Sequence, residues 1–220
     1  INFMKIFLDT AEVQTIVKHA STGLIDGVTT NPTLIKKSGR NPEDVYRELA
    51  GLGLRDISME VVADTALELY KEGKRLAEEF GKVATIKLPC TYEGLQACKQ
   101  LSDDGIRVNV TLIFSVAQAI LASKAGAAYV SPFVGRVDDN SFDGVGLVKD
   151  IAALYKEHLV RTQVLAASVR DVKSVSECFG YGADIVTMPP AVFEKMYNHI
   201  LTDKGIELFE LDWKNVEAKV

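Results

Sequence analysis

Cysteine and histidine are scarce in this sequence of 220 residues. The cysteines are Cys90, Cys98 and Cys178, an odd number with no C-x-x-C pair, so they do not indicate a disulfide framework. The histidines are widely spaced, without other ligand residues nearby, and are expected at the surface or at helix caps: His19, His158 and His199. We therefore expect no metal and no cofactor, and we expect a reducing, cytoplasmic setting.

Long apolar runs and an excess of basic residues are also missing. No run approaches the roughly 20 apolar residues that a membrane-spanning helix needs, which argues against a membrane protein. The net charge is -5, and no dense Lys/Arg cluster is present, so nucleic acid is not an expected partner. Neither G-x-G-x-x-G nor G-x-x-x-x-G-K-[ST] opens a helix, which weakens a dinucleotide or nucleoside triphosphate interpretation.

Hydrophobic residues make up 47% of the chain, enough for one globular domain with a large core. We expect that domain to span residues 4–220. Residues 1–3 precede Met4, after which a strand pattern begins at once, and we expect them to be a remnant of expression.

Short β-rich runs alternate with longer amphipathic segments along most of the chain. The eight strand candidates are residues 5–10, 27–30, 57–62, 84–89, 107–113, 129–134, 162–168 and 184–189. Helix formers fill the gaps, as in residues 66–80, and Asn41-Pro42 is a helix start signal. Glycines at or just before strands are expected to be left-handed helix ends: Gly27, Gly81, Gly105, Gly126 and Gly182.

Eight β-α units in about 200 residues favour an α/β fold, a single (β/α)8 TIM barrel, with a doubly wound sheet as the alternative. One more helix is predicted from about 203 to 218. Its apolar positions are Ile206, Leu208, Phe209, Leu211, Trp213 and Val216. These side chains either cover the barrel's own outer surface or dock on a neighbouring subunit.

Polar residues recur late in the predicted strands, where a barrel places its active site. Within each run they are spaced by two, and the alternate positions are apolar, as a polar lumen mouth requires. The candidates are Asp9, Thr29, Asn31, Glu60, Lys87, Asn109, Thr111, Ser131, Phe133, Arg136, Ser168 and Arg170.

Lys87 is the most informative candidate because its neighbours Ile86 and Leu88 give no reason for an ammonium group in a strand. Burial disfavours the charged form of lysine, so a strand lysine can present a free amine that attacks a ketone. The alternative is a structural ion pair with Asp9 or Glu60, since buried lysine-carboxylate pairs also occur as structural networks.

A Schiff-base aldol reaction also needs a base that takes the proton of the hydroxyl whose C–C bond breaks, and a proton shuttle for dehydration of the carbinolamine. Asp9 and Glu60 suit those two roles. Arg136, Arg170 and the Ser168 hydroxyl are placed to hold a phosphate, although exposed surface charge is the commoner role of an arginine.

Several long motifs resemble the small transaldolases and the related fructose-6-phosphate aldolases. They include D-G-V-T-T-N-P-T-L-I (26–35), T-I-K-L-P (85–89), V-N-V-T-L-I-F-S (108–115), Y-V-S-P-F-V-G-R (129–136) and A-A-S-V-R (166–170), and the likeness covers nearly the full length. The resemblance implies an enzyme that moves a dihydroxyacetone unit between sugar phosphates of the non-oxidative pentose phosphate pathway. It also implies a homo-oligomer, such as a decamer, built through the C-terminal helix.

The resemblance further implies a role for each candidate. Lys87 attacks the donor ketone, Glu60 shuttles protons through a water held with Thr111, and Asp9 takes the C4 hydroxyl proton. Substrate hydroxyls are held by Thr29, Asn31, Asn109 and Ser131, and phosphate by Arg136, Ser168 and Arg170.

Two positions distinguish the relatives. The aldolases of this family typically have glutamine at the position of Glu60 and tyrosine at that of Phe133, so this sequence follows the transaldolase pattern. The alternatives are a fructose-6-phosphate aldolase that releases dihydroxyacetone and a non-catalytic barrel that binds a sugar phosphate. The intact set of Asp9, Glu60, Lys87 and Thr111 argues against the last.

Overall fold

A closed barrel of eight parallel strands forms the centre of the molecule in the computed structural model, which describes residues 4–217. Each strand pairs with its sequence neighbours, and β1 closes the ring against β8. The strands are β1 (Lys5–Asp9), β2 (Gly27–Thr29), β3 (Asp56–Glu60), β4 (Ala84–Pro89), β5 (Val108–Ile113), β6 (Tyr129–Pro132), β7 (Gln163–Ala166) and β8 (Ile185–Met188). The barrel prediction is confirmed; the expected remnant at residues 1–3 lies outside the described residues.

Eleven α-helices in the described chain surround or follow the barrel: α1 (Val13–Ala20), α2 (Pro32–Ser38), α3 (Pro42–Ala50), α4 (Ala66–Phe80), α5 (Tyr92–Asp103), α6 (Val116–Lys124), α7 (Val134–Asp139), α8 (Gly144–Glu157), α9 (Val172–Gly180), α10 (Pro190–Lys195) and α11 (Ile200–Glu217). A short 3-10 turn, Gly81–Val83, precedes β4. The Asn41 side chain accepts a hydrogen bond from the Glu43 amide at 2.9 Å, which confirms the predicted start of α3.

In the part of the chain that the structure describes, two groups of buried apolar side chains stabilise the fold. The larger lies between the strands and the helix layer and includes Leu8, Ile86 and Leu88. The smaller contains Phe7, Tyr129, Leu165, Ala167 and Ile185. These positions alternate along the chain with those that face the helices, so their side chains fill the barrel interior.

Gly27 is one of the glycines that the sequence placed at a left-handed helix end, and there the prediction is wrong. It is the first residue of β2, and a Cβ on it would lie 2.8 Å from the Phe7 ring and 2.7 Å from the Asp56 carbonyl oxygen. Gly27 therefore provides space for an aromatic ring inside the barrel. The other four do adopt positive φ: Gly81, Gly105, Gly126 and Gly182.

The histidines divide between caps and core. His158 is the C-cap of α8, and the His199 Nδ1 accepts from the Leu201 amide at the start of α11, as expected. The prediction is wrong for His19, which is 4% exposed. Its ring packs edge-on against Phe193, and its Nε2 lies 3.3 Å from Glu194 Oε1. The cysteines are free thiols, as expected.

Helix α11 does not bury its apolar side chains on the barrel. Residues 200–216 are exposed to solvent, apart from Gly205, which is partly buried. Leu208 is 53% exposed and Phe209 is 76% exposed. The interpretation in which these side chains cover the barrel's own surface is therefore wrong. The helix begins at Ile200, three residues before the predicted start.

Candidate active site

Lys87 lies in β4, near the carboxyl ends of the barrel strands, and only 5% of the residue is exposed. Its Nζ is 3.0 Å from Glu60 Oε2 and donates a hydrogen bond of 3.0 Å to the Thr30 carbonyl oxygen. The sheet register explains the ion pair, because Glu60 in β3 is aligned with Lys87 in β4. The structure thus contains the ion pair that the sequence left open, and it places a carboxylate beside the amine.

Asp9, at the end of β1, is the second carboxylate near Lys87. The Thr29 hydroxyl donates to Asp9 Oδ1 at 2.9 Å, and the Thr187 hydroxyl lies 2.6 Å from that of Thr29. Burial raises the pKa of Asp9 above its ordinary value, although the Lys87 charge and the Thr29 hydrogen bond oppose that shift. Asp9 is thereby a stronger base than an exposed aspartate.

A chain of polar side chains crosses the interior beside Lys87. The Ser131 hydroxyl donates to Asn109 Oδ1 at 2.7 Å, and Asn109 Nδ2 donates to the Ser58 hydroxyl at 3.2 Å. All three residues are almost completely buried. Asn109 is fixed at the level of Lys87 because the two are aligned in the register of β4 and β5.

Thr111 follows Asn109 on the same face of β5, and its Oγ1 has no hydrogen-bond partner among the described residues although it is buried. The strand is irregular at this point, since Leu112 has a φ of 59° and the pairing of β5 with β6 shifts between Val110 and Ile113. A buried hydroxyl without a partner is costly unless a water or a ligand satisfies it.

A cavity of about 110 Å³ opens over this group. It is lined by Asp9, Thr29, Asn31, Lys87, Ser131, Phe133, Arg136, Leu165, Ala167, Ser168 and Thr187. The structure therefore brings eight of the predicted residues to one cavity. Four predicted residues are not among those that line it: Glu60, Asn109, Thr111 and Arg170.

Asn31 has a structural contact as well as a place in the cavity wall. Its side chain accepts from the Leu34 amide at 2.9 Å and so caps α2. This contact uses the amide oxygen, and the amide nitrogen is the part of the side chain that remains to donate to a ligand.

Aromatic rings and Arg136 form the outer edge of the cavity. The Arg136 guanidinium lies 4.8 Å from the centre of the Phe133 ring, and Phe114 packs against Phe133 at 5.6 Å. Arg136 and Phe114 also line a neighbouring groove of about 490 Å³ with Phe142 and Asn140. Arg136 is therefore shared by the small cavity and the larger groove.

Arg170 is turned toward another partner. Its terminal nitrogens lie 2.5 and 2.7 Å from the two carboxylate oxygens of Asp139, in a bidentate pair. Ser168, two residues earlier, does line the cavity and has a left-handed φ of 55°. The two members of the predicted phosphate site that reach the cavity are thus Ser168 and Arg136.

Sequence reasoning missed two polar residues of the site, Ser58 and Thr187. Ser58 lies two positions before Glu60 in β3, and Thr187 lies late in β8, the strand from which no candidate was chosen. The spacing of two that selected the other candidates was the signal that could have found both.

The arrangement combines a buried amine, a carboxylate in contact with it, and a second carboxylate whose pKa is raised. Such a set suits covalent attack on a carbonyl followed by proton transfers. Within residues 4–217, no group of three or more His, Cys, Asp or Glu side chains is placed to hold a metal ion, and no helix is long and apolar enough to cross a membrane.

Comparison with known proteins gives consistent matches over nearly the whole chain. The family described as Transaldolase/Fructose-6-phosphate aldolase matches residues 6–220. A probable transaldolase of Cereibacter sphaeroides is 50% identical over 210 residues, covering 96% of this chain and 95% of the relative. A probable transaldolase of Caulobacter vibrioides is 52% identical over 217 residues, covering 99% of this chain and 100% of the relative.

Proposed function

Because the chain belongs to the transaldolase and fructose-6-phosphate aldolase family of enzymes, we propose that it transfers a dihydroxyacetone unit between sugar phosphates through a Schiff base on Lys87. The donor is sedoheptulose 7-phosphate or fructose 6-phosphate, and the acceptor is glyceraldehyde 3-phosphate or erythrose 4-phosphate. The observation that carries the proposal is the buried Lys87 amine in contact with Glu60, with Asp9 on the same cavity.

The first step begins from the Lys87–Glu60 ion pair: Glu60, whose carboxylate lies 3.0 Å from Nζ, takes one proton of the ammonium, and the freed amine attacks the donor's C2 ketone. A second proton passes from the attacking nitrogen to the C2 oxygen, which gives a neutral carbinolamine. Protonated Glu60 then returns its proton through a bound water to the carbinolamine hydroxyl, which leaves as water and produces an iminium. The unpartnered Thr111 hydroxyl supports this step, because it offers a buried site for that water.

The second step breaks the bond between C3 and C4. Asp9 takes the proton of the C4 hydroxyl, the C3–C4 electron pair moves into the iminium, and an aldehyde phosphate leaves. A dihydroxyacetone enamine remains on Lys87 and attacks the acceptor aldehyde by the reverse path. The raised pKa of Asp9 suits this role because it makes the carboxylate a better proton acceptor.

The remaining polar residues hold the transferred unit and the phosphate. Thr29, Asn31, Asn109 and Ser131 are proposed for the hydroxyls, and Arg136, Ser168 and Arg170 for the phosphate. A cavity of about 110 Å³ is too small for a whole ketose phosphate, whereas pockets for such ligands measure about 300 Å³ or more. The groove that shares Arg136 provides the additional space.

Transfer is proposed over cleavage because of Phe133, whose ring lines the cavity. A phenyl ring offers water no hydrogen bond, so the enamine persists until an acceptor aldehyde arrives. The test is to incubate the enzyme with fructose 6-phosphate alone and with added erythrose 4-phosphate. Sedoheptulose 7-phosphate should form much faster than free dihydroxyacetone. Equal rates would instead support an aldolase. If neither product forms, the result would support a non-catalytic barrel.

Phe133→Tyr is the matched variant for that assay. A phenol hydroxyl can hold a water near the enamine with a hydrogen bond worth about 1 kcal/mol, so free dihydroxyacetone release should rise about fivefold. The released sugar is measured enzymatically against the transfer rate of the same sample. An unchanged ratio of release to transfer would show that Phe133 does not control water.

We further propose that residues 4–220 form one domain working in the cytoplasm as a homo-oligomer, a decamer being the expected size. The support for assembly is α11, which exposes large apolar side chains such as Leu208 and Phe209. Apolar surface left exposed on a helix is commonly covered by a partner chain.

The three free cysteines suit a reducing compartment.

A further inference from the structure

Arg170 and Asp139 form an ion pair at the edge of the site, outside the cavity that Ser168 and Arg136 line. Both carboxylate oxygens of Asp139 are engaged, each by one terminal nitrogen of Arg170, at 2.5 and 2.7 Å. The two side chains are about half exposed, at 54% for Arg170 and 51% for Asp139. An anion arriving from solvent can therefore reach this guanidinium.

Gly135 fixes the place of this arginine against α7. Its amide donates to the Ser168 carbonyl oxygen at 2.8 Å, and a Cβ on it would lie 2.7 Å from Arg170 Nε. The Nε edge of the guanidinium thus faces the helix backbone, and the terminal nitrogens extend to Asp139 one turn further along α7. Those terminal nitrogens are the donors that a phosphate would need for bidentate binding.

The pair stays charged on both sides near neutral pH. The Arg170 hydrogen bonds hold the pKa of Asp139 below its ordinary value, and Asp139 in turn raises the pKa of Arg170. Protonation therefore does not release the arginine under working conditions. Another anion has to displace the carboxylate.

We infer that Asp139 lowers the affinity of the site for phosphorylated sugars by competing with the substrate's phosphate for the terminal nitrogens of Arg170. This inference rests on the proposed function, in which Arg170 is a phosphate ligand. Arg170 exchanges Asp139 for the phosphate when a sugar phosphate binds, and Asp139 takes the guanidinium back when the product leaves. Affinity for phosphorylated sugars is consequently lower than Ser168, Arg136 and a free Arg170 would give.

The test compares Asp139→Asn, Arg170→Ala and the double variant with the parent enzyme. Asp139→Asn should lower KM for fructose 6-phosphate about two- to fivefold with kcat unchanged, because an exposed pair contributes modestly and Arg170 does not touch the reacting carbons. In the Arg170→Ala background the same substitution should have almost no effect. Glu177→Gln is the control for charge alone, since Glu177 pairs with Lys173 on α9 at 2.9 Å.

Binding of inorganic phosphate, measured calorimetrically on the same proteins, separates this inference from the proposed function. Tighter phosphate binding by Asp139→Asn supports the inference whether or not the enzyme turns over. Unchanged or weaker binding overturns it, and so does an equal gain in the Arg170→Ala background or in Glu177→Gln, which would indicate general charge removal. Absence of turnover in a parent enzyme that binds phosphate would overturn the proposed function alone.

Discussion

Lys87 is held by two different kinds of contact, a carboxylate and a backbone carbonyl. The Glu60 side chain is 15% exposed and that of Lys87 is 7% exposed, so both charges are largely removed from water. A buried ion pair of this kind costs desolvation energy that well-packed apolar side chains would avoid. The proposed catalytic roles of Lys87 and Glu60 give a reason for this cost.

Asp9 gives a test in which stability and activity change in opposite directions. Burial raises its pKa, so the ionised form costs folding free energy at neutral pH and the protonated form does not. Asp9→Asn should therefore raise the thermal unfolding midpoint at neutral pH and reduce turnover by about a hundredfold or more.

The pH dependence of that gain follows from the sign of the pKa shift. As pH falls through the raised pKa, native Asp9 takes up a proton and its cost disappears, so the two midpoints should converge in acid. Scanning calorimetry of parent and variant at several pH values measures this. A variant that is less stable at neutral pH would show that the Thr29 and Lys87 contacts outweigh burial.

The spacing of two predicted which side chains enter the barrel but not what they contact. It selected Lys87 and Asn109, which are buried at the same level of the barrel, and Asp9, which lines the cavity together with Lys87. It could not pair Arg170 with Asp139, because a contact across 31 positions depends on how α7 packs after β6. Thr111 was selected as a polar residue that faces the lumen, and it is buried there, but the irregularity at Leu112 has no signal in the sequence.

At the scale of elements, the helix at residues 66–80 was predicted better than the strand ends. The helix at residues 66–80 was predicted to the residue, because Gly81 follows and α4 has a clear amphipathic pattern. Strands β2, β6 and β7 are shorter than predicted because pairing stops where the chain turns into the following loop. Those loops carry Asn31, Phe133 and Ser168, so the site begins where the sheet ends.

Helix α11 leaves large apolar side chains exposed to solvent in a single subunit. If a second subunit covers it, Leu208→Ser should weaken association by about tenfold, because burial of a leucine side chain contributes roughly 1.5 kcal/mol or more. The free energy of unfolding of the dissociated subunit should not change, because Leu208 is already 53% exposed there. Sedimentation equilibrium measures the association.

Leu67→Ser on α4 is the control for this substitution. Leu67 is 57% exposed, close to the value for Leu208, and lies on a helix that packs on the barrel. Assembly should be unaffected in this variant. Equal weakening by both substitutions would contradict a specific role of α11.

On the scale of the whole molecule, buried ionisable side chains lie at both ends of the barrel interior, with Lys87 at one end and Asp56 at the other. At the end opposite Lys87, Arg107 lies 2.9 Å from Asp56 Oδ2, and the Tyr129 hydroxyl donates to the same oxygen at 2.6 Å. Burial raises the pKa of Asp56, and the Arg107 charge opposes that shift. These contacts close the barrel away from the site.

Arg107→Ala should therefore destabilise the barrel without acting on the reaction. We expect a loss of about 2 kcal/mol at neutral pH, below the range for fully buried pairs because 36% of the Arg107 side chain is exposed. The loss should shrink in acid, where Asp56 is protonated and no longer needs the charge. Urea unfolding of parent and variant at two pH values measures it; a loss that grows in acid would contradict this sign.

The barrel was predictable because the eight-fold alternation of strand and helix patterns has few other solutions. The polar layer around Asp56 was not recognised, since Asp56 and Arg107 lie at strand beginnings where no function was expected. Assembly is likewise decided by surfaces beyond one chain, so the sequence left two interpretations of α11 open.

The central claim is that Lys87 forms a covalent Schiff base with the donor sugar, and reductive trapping tests it most directly. The enzyme is incubated with fructose 6-phosphate, reduced with borohydride, digested and analysed by mass spectrometry, with Lys87→Ala treated in parallel. We predict that the peptide containing Lys87 carries the reduced dihydroxyacetone adduct and that the variant carries none. An unmodified Lys87 peptide, or an adduct on a different lysine, would contradict the account.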